Sequence, residues 1–125
     1  MPFPAATICL LDDEPSVLKA LGRLLASIDL PTEKFTEPAR FLAYAGGHPV
    51  GLAVIDVRMP GMNGLEVFSE LRKISPKTRV IIMTAEEDPD HRDAAMSGGA
   101  SAFFLKPFDD SAFLTAVRAA VNREA

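Results

Sequence analysis

Five polar residues stand where apolar runs end. Asp12 and Asp13 follow "ATICLL" (6–11), Asp56 is the sixth residue of "GLAVIDV" (51–57), Thr84 falls near the end of "RVIIMTA" (79–85) and Lys106 follows "SAFFL" (101–105). If these runs are neighbouring strands, three carboxylates meet at the rim of a low-dielectric sheet. At about 4 Å and an effective dielectric of about 20, each like-charge pair costs about 4 kcal/mol, so a cation is required. Lys106 supplies one positive charge. A hard divalent ion answers an oxygen-only ligand set better, and Mg2+ typically binds through one or two carboxylates with waters and a phosphate. No Cys/His constellation argues for zinc.

Taken singly, each of these residues has an ordinary use. An aspartate just ahead of Pro15 is a common helix start. Asp56 could simply open a Gly/Pro loop, Thr84 could bond the backbone at a strand end, and Lys106 could be a solvated lysine. Convergence gives them chemistry: an acidic, metal-binding rim faced by one hydroxyl donor and one cation has the parts needed to hold a transferring phosphoryl group.

The elements that would position them alternate along the chain. "ATICLL" reads as a strand covered on both faces. Pro15 suits a first helical turn, after which Val17, Leu18, Leu21, Leu24, Leu25 and Ile28 recur along one stripe. "EKFT" (33–36) is a weaker, edge-type strand, and Pro38 opens a helix through Ala45 that "GGHP" breaks. The strand 51–57 leads into the loop "RMPGMNG" (58–64), and "LEVFSELRKI" (65–74) brings Leu65, Phe68, Leu71 and Ile74 to one helical side. After the strand 79–85, Asp88 and Pro89 cap and open a helix over 89–97 that Gly98 and Gly99 stop. A fifth strand (101–105) precedes a closing helix capped by Asp109 or Asp110, with Phe113, Val117, Ala120 and Val121 on one face. Five strand–helix repeats with long connections predict a parallel α/β sheet, doubly wound, with right-handed crossovers. Ligands bind such sheets at the carboxyl ends of the strands, where the five polar residues fall.

Composition agrees with one domain and no internal boundary. The chain has 125 residues, 48% hydrophobic and 24% charged, enough to bury roughly two-thirds of its unfolded surface in a single core. Its one cysteine, Cys9, lies in the first apolar run, excludes an internal disulfide and suits a reducing compartment as a small buried hydrophobe. The N-terminus lacks a basic opening and no apolar stretch approaches the roughly 20 residues of a membrane span, so the sequence reads as cytoplasmic. A net charge of −4 without a Lys/Arg cluster gives no support for nucleic-acid binding by this domain. His48 in a Gly/Pro turn and His91 in a polar helical turn read as surface residues. Met59 and Met62 beside the acidic rim read as loop packing or partner contacts.

"LLDDEP", "VIDVRMPGMNGLEV", "IIMTAEED" and "FFLKPF" resemble, in order and over essentially the whole chain, the signature segments of the receiver domain of two-component response regulators. The resemblance implies one receiver domain over 1–125 with a flavodoxin-like five-stranded parallel sheet, order 2-1-3-4-5, and five helices. It implies that Asp56 is the phosphoacceptor, that Asp13 and Asp56 bind Mg2+ with the backbone carbonyl of Arg58, and that Asp12 acts mainly through a metal-bound water. Thr84 and Lys106 would contact phosphoryl oxygens, and the Lys106–Pro107 peptide would be cis. The phosphodonor would be a sensor histidine kinase or a histidine phosphotransfer protein. Phosphorylation would draw Thr84 inward, let Phe103 turn into the space behind it, and change the surface of the fourth helix, fifth strand and fifth helix, a face that also suits a homodimer. Arg58 and Glu86, two residues beyond Asp56 and Thr84, occupy positions that tune how readily water reaches the phosphoaspartate, and are expected to pair over the site.

Three other readings share parts of this pattern. A phosphatase or phosphotransferase of the haloacid-dehalogenase type would need a second aspartate two residues after the nucleophile, where Arg58 stands after Asp56. A flavodoxin-like cofactor binder would meet the acidic "DDEP" where a flavin phosphate needs a neutral nest. A receiver-fold interaction module that is never phosphorylated would have no need for the full residue set.

Overall fold

The computed structural model describes residues 7–122; Ala6, placed by the sequence in the first strand, lies outside the described residues. Strands β1 (Thr7–Leu11), β2 (Thr32–Phe35), β3 (Val50–Asp56), β4 (Arg79–Thr84) and β5 (Ala102–Leu105) alternate with helices α1 (Pro15–Ala26), α2 (Pro38–Gly47), α3 (Gly64–Ile74), α4 (Pro89–Ser97) and α5 (Asp110–Val121). The strands form one parallel sheet in the order β2-β1-β3-β4-β5. This is the doubly wound, flavodoxin-like order expected from the sequence.

Side chains alternate across each strand, so one set of apolar strands builds two cores. Cys9, Leu11, Ala53, Ile55 and Ile82 point toward the side covered by Phe41, Val67, Phe68, Leu71 and Ala95 of α2, α3 and α4. Ile8, Leu10, Leu52, Val54, Ile81 and Met83 point the other way, under Leu18, Leu21, Leu25, Phe113 and Val117 of α1 and α5. Fully burying each large side chain stabilises the fold by roughly 1.5–3 kcal/mol. The same burial pushes the Cys9 thiol up to about 12, with the Glu33 charge adding to it, so Cys9 stays an uncharged packing group. Among the described residues no helix is long and apolar enough to cross a membrane.

Three local expectations need correction. Helix α2 runs past Ala45 through Gly46 and Gly47 and stops at His48, which is extended (φ −138°, ψ 146°) because Pro49 disfavours the helical region for the residue before it; within "GGHP" it is the proline that ends the helix. Ile74 is 46% exposed at the last position of α3, and Val67 joins Phe68 and Leu71 on the buried side instead. His91 is half-buried in the first turn of α4, with Nε2 3.6 Å from Asp88. His48 is exposed as expected and stacks on Tyr44, ring centroids 4.0 Å apart.

Candidate functional site

The winding reverses between β1 and β3, which opens a crevice at their carboxyl ends. Asp12 and Asp13 follow β1 there, and Asp56 is the last residue of β3. Carboxylate oxygens of the three lie within 4.8 Å of one another. Asp12 is fully buried, Asp56 is 4% exposed, and Asp13 faces solvent. Thr84, also fully buried, ends β4, and Lys106 directly follows β5. All five residues singled out from the sequence therefore reach one rim.

Asp12 does not cap α1. Its Oδ1 accepts a hydrogen bond from the Glu14 backbone N–H at 2.9 Å, while Glu14 is the N-cap residue and makes no side-chain cap bond. Its Oδ2 accepts from Lys106 Nζ at 2.8 Å, and the same ammonium lies 3.1 Å from Asp56 Oδ1. One cation thus bridges two buried carboxylates and leaves Asp13 without an ion-pair partner among the described residues. Burial of the Lys106 ammonium works against its charge, but the Asp12 hydrogen bond and the Asp56 and Asp12 charges outweigh it, and its pKa is raised.

Asp56 shows the residual cost. Desolvation first, then the charge of Asp12, push its pKa from 3.8 up to about 6; the charge and hydrogen bond of Lys106 oppose this, and Asp13 adds a further push. With one lysine against three carboxylates, the pocket keeps an excess of negative charge held by hard oxygen donors. That donor set fits a small divalent cation of the Mg2+ type and gives no soft ligand for zinc or copper.

Loops hold this rim in place. The Val57 N–H donates to Met83 O at 2.9 Å and Gly64 N–H to Val57 O at 2.9 Å, folding the 58–63 loop back on β3. A Cβ on Gly64 would collide with the Asp56 carbonyl oxygen, so a glycine is required for α3 to start this close to the end of β3. Asn63 caps α3 by accepting from the Leu65 and Glu66 N–H groups, and the Glu66 side chain accepts from the Asn63 N–H. This capping box was missed in the sequence, although "NGLE" carries its spacing. Asn63→Ala is expected to lower stability by about 1 kcal/mol, measured by urea denaturation. An unchanged midpoint would show that the cap is not what anchors this loop. Met59 and Met62 pack partly buried against the core, the simpler of their two readings.

The Arg58 and Glu86 side chains form an ion pair, each more than half exposed. The Glu86 N–H also donates to Thr84 Oγ1 at 3.2 Å, so the loop after β4 is tied to the buried hydroxyl. The peptide bond between Lys106 and Pro107 is cis, as the resemblance implies. Of the three aromatics in "AFFLKPF", Phe104 and Phe108 pack on Phe113 of α5 at 5.7 and 5.0 Å, while Phe103 sits on the opposite sheet face, half-buried under α4.

Comparison with known proteins agrees with this geometry. A family model described as response regulator receiver domain matches residues 8–118. The transcriptional regulatory protein FixJ of Azorhizobium caulinodans is 41% identical over 115 residues, covering 92% of this chain and 54% of FixJ. The response regulator protein TodT of Pseudomonas putida is 37% identical over 118 residues, covering 94% of this chain and 52% of TodT. The chain thus spans about half the length of these curated relatives. In fold it is similar to the signal receiver domain of an HD domain-containing protein from Pseudomonas fluorescens Pf-5, with a TM-score of 0.89 at 23% identity over 97% of this chain and 90% of that one. With the family model matching nearly its full length, the chain belongs to the response regulator receiver domain family.

Proposed function

We propose that the chain is a single receiver domain that accepts a phosphoryl group on Asp56 and changes its surface in response. The observation that carries this reading is the buried Asp56 carboxylate, crowded by Asp12 and bridged by Lys106 at 3.1 Å. In the transfer, an Asp56 oxygen attacks phosphorus and the bond to the donor breaks. That bond is P–N when the donor is the phosphohistidine of a sensor kinase or phosphotransfer protein, and P–O when it is acetyl phosphate. The imidazole or acetate leaves with the electron pair. Lys106 stays beside the new acyl phosphate and offsets its charge, and Thr84 turns its hydroxyl to donate to a phosphoryl oxygen.

Asp13 and Asp56, with the backbone carbonyl of Arg58, would hold Mg2+, with Asp12 acting at one remove. When bound, the ion neutralises negative charge on the group in transfer. Phosphorylation adds roughly −1.5 to −2 charges. We place the response on the α4–β5–α5 face, where Met96 and Leu105 are 46% and 37% exposed and suit a homodimer or an output partner.

The test is mass spectrometry after incubation with acetyl phosphate, with Mg2+ or with a chelator. A gain of one phosphoryl group only in Mg2+ supports the proposal. No gain in either condition would favour the interaction module that is never phosphorylated.

The Arg58–Glu86 pair contributes little to stability at its exposure, so its role is assigned to lifetime. Arg58→Ala and Glu86→Ala are each expected to change the rate of phosphoryl loss by about threefold or more with unchanged thermal stability. Decay rates equal to wild type in both variants would remove the pair from the mechanism.

A further inference from the structure

Arg92, in α4, places its guanidinium carbon 4.8 Å from the centroid of the Phe103 ring. Three carboxylates, Glu87, Asp88 and Asp93, line the same small cavity of about 130 Å³ together with Arg92, Phe103 and Leu105. Among the described residues Arg92 nonetheless makes no ion pair, and its charge lies on the ring face. The stacked geometry thus covers the outer side of Phe103 with a group from another element. Helix α4 buries only Ala95, and the Arg92–Phe103 contact is a further link between α4 and β5.

The sheet register connects the ring to the site. Phe103 pairs with Ile82, and Leu105 pairs with Thr84. Paired residues of parallel strands point to one face, so Thr84 and Phe103 are diagonal neighbours beneath α4. Movement of the Thr84 side chain toward the acidic pocket would empty volume beside its diagonal neighbour Phe103. A ring that turned into that volume would leave the guanidinium.

We propose that Arg92 is a positioning residue that holds Phe103 in its outer position and thereby opposes the phosphoryl-bound conformation. This rests on the reading of Asp56 as phosphoacceptor and of Thr84 as its moving partner. A contact made in one conformer and lost in the other shifts the equilibrium by its own worth. By reciprocity it weakens binding of any phosphoryl-like group by the same factor.

The probe is beryllofluoride in Mg2+, a phosphoryl mimic, titrated by 1H–15N NMR against the intact chain. Arg92→Ala is expected to bind it about two- to fivefold more tightly than wild type, the fold-change of a solvent-exposed cation–π contact. Arg92→Lys, whose ammonium can still rest on the ring, is expected to stay near wild type. An NOE between the Phe103 ring and the Arg92 Hδ protons is expected in the free chain and lost in the beryllofluoride form. A purely structural role for Arg92 would not tighten binding. Unchanged or weaker affinity in Arg92→Ala, or an NOE that persists in the bound form, would overturn the inference alone. Failure of wild type to bind beryllofluoride would overturn the phosphoacceptor reading and the inference with it.

Discussion

Asp56→Asn is expected to gain no phosphoryl group under conditions that modify the wild type, and at the same time to be the more stable protein in metal-free buffer at pH 7. The first effect is all-or-none, because an amide oxygen at this position cannot form the acyl phosphate. The second follows from linkage. The Asp56 carboxyl titrates near 3.8 in the unfolded chain and at about 6 in the folded one, so between these values the folded state binds more protons. Stability contributed by this group therefore falls as pH rises from about 4 to about 6 and stays low above that. A gap of about two pKa units corresponds to about 2–3 kcal/mol, and the asparagine variant is expected to recover that amount at pH 7. Urea denaturation of both proteins from pH 4 to pH 7.5 in a chelator measures it. Equal stability of the two at pH 7 would mean that Asp56 carries no electrostatic strain.

Lys106→Met is expected to act in the opposite direction. The ammonium is 2.8 Å from the fully buried Asp12 and 3.1 Å from Asp56, and its side chain is 19% exposed. Its removal leaves two desolvated carboxylates facing each other with no counter-charge. Breaking a buried pair this way typically costs about 3–5 kcal/mol. The loss should already shrink as pH falls toward about 6, because without the opposing Lys106 charge the Asp56 carboxyl takes up its proton more readily still, and also when Mg2+ is added. A destabilisation under about 1 kcal/mol at pH 7.5 in chelator would show that solvent, rather than Lys106, balances the pocket.

Together these two substitutions describe a pocket whose buried acidic residues carry a cost to folding. Asp56 is the strained member and Lys106 the partial remedy. The remaining negative charge is what, on the proposed reading, a divalent cation would neutralise.

Much of this was legible because it depends on short-range pattern. Apolar runs of five to seven residues, each leading to a polar group, identify β1, β3, β4 and β5 and put Asp12, Asp13, Asp56, Thr84 and Lys106 at the same edge. The parallel topology then brings them together. The N-cap Asp88 was legible for the same reason, since it acts within two residues, whereas the sequence left the last cap open between Asp109 and Asp110 and the fold assigns it to Asp109. Apart from the Arg58–Glu86 pair, expected through the family resemblance, contacts that depend on side-chain direction were not. The sequence left Asp12 as helix cap or metal-site residue, and only the fold shows it bonding the Glu14 N–H and Lys106, 94 positions away. Arg72, which donates to the Gly98 and Gly99 carbonyls at 3.0 Å and fastens α3 to the turn after α4, gave no local signal. Nor did Arg92 over Phe103. Ile74 fits the helical stripe by spacing but is exposed at the last position of α3.

The most direct test of the central claim is to locate the modified side chain. After phosphorylation with acetyl phosphate and Mg2+, borohydride reduction converts an aspartyl phosphate to homoserine, which tandem mass spectrometry assigns to a single position. Homoserine at position 56 alone is the expected result. Homoserine at another aspartate, or none anywhere in a chain that has taken up phosphate, would contradict the assignment of Asp56 as the acceptor.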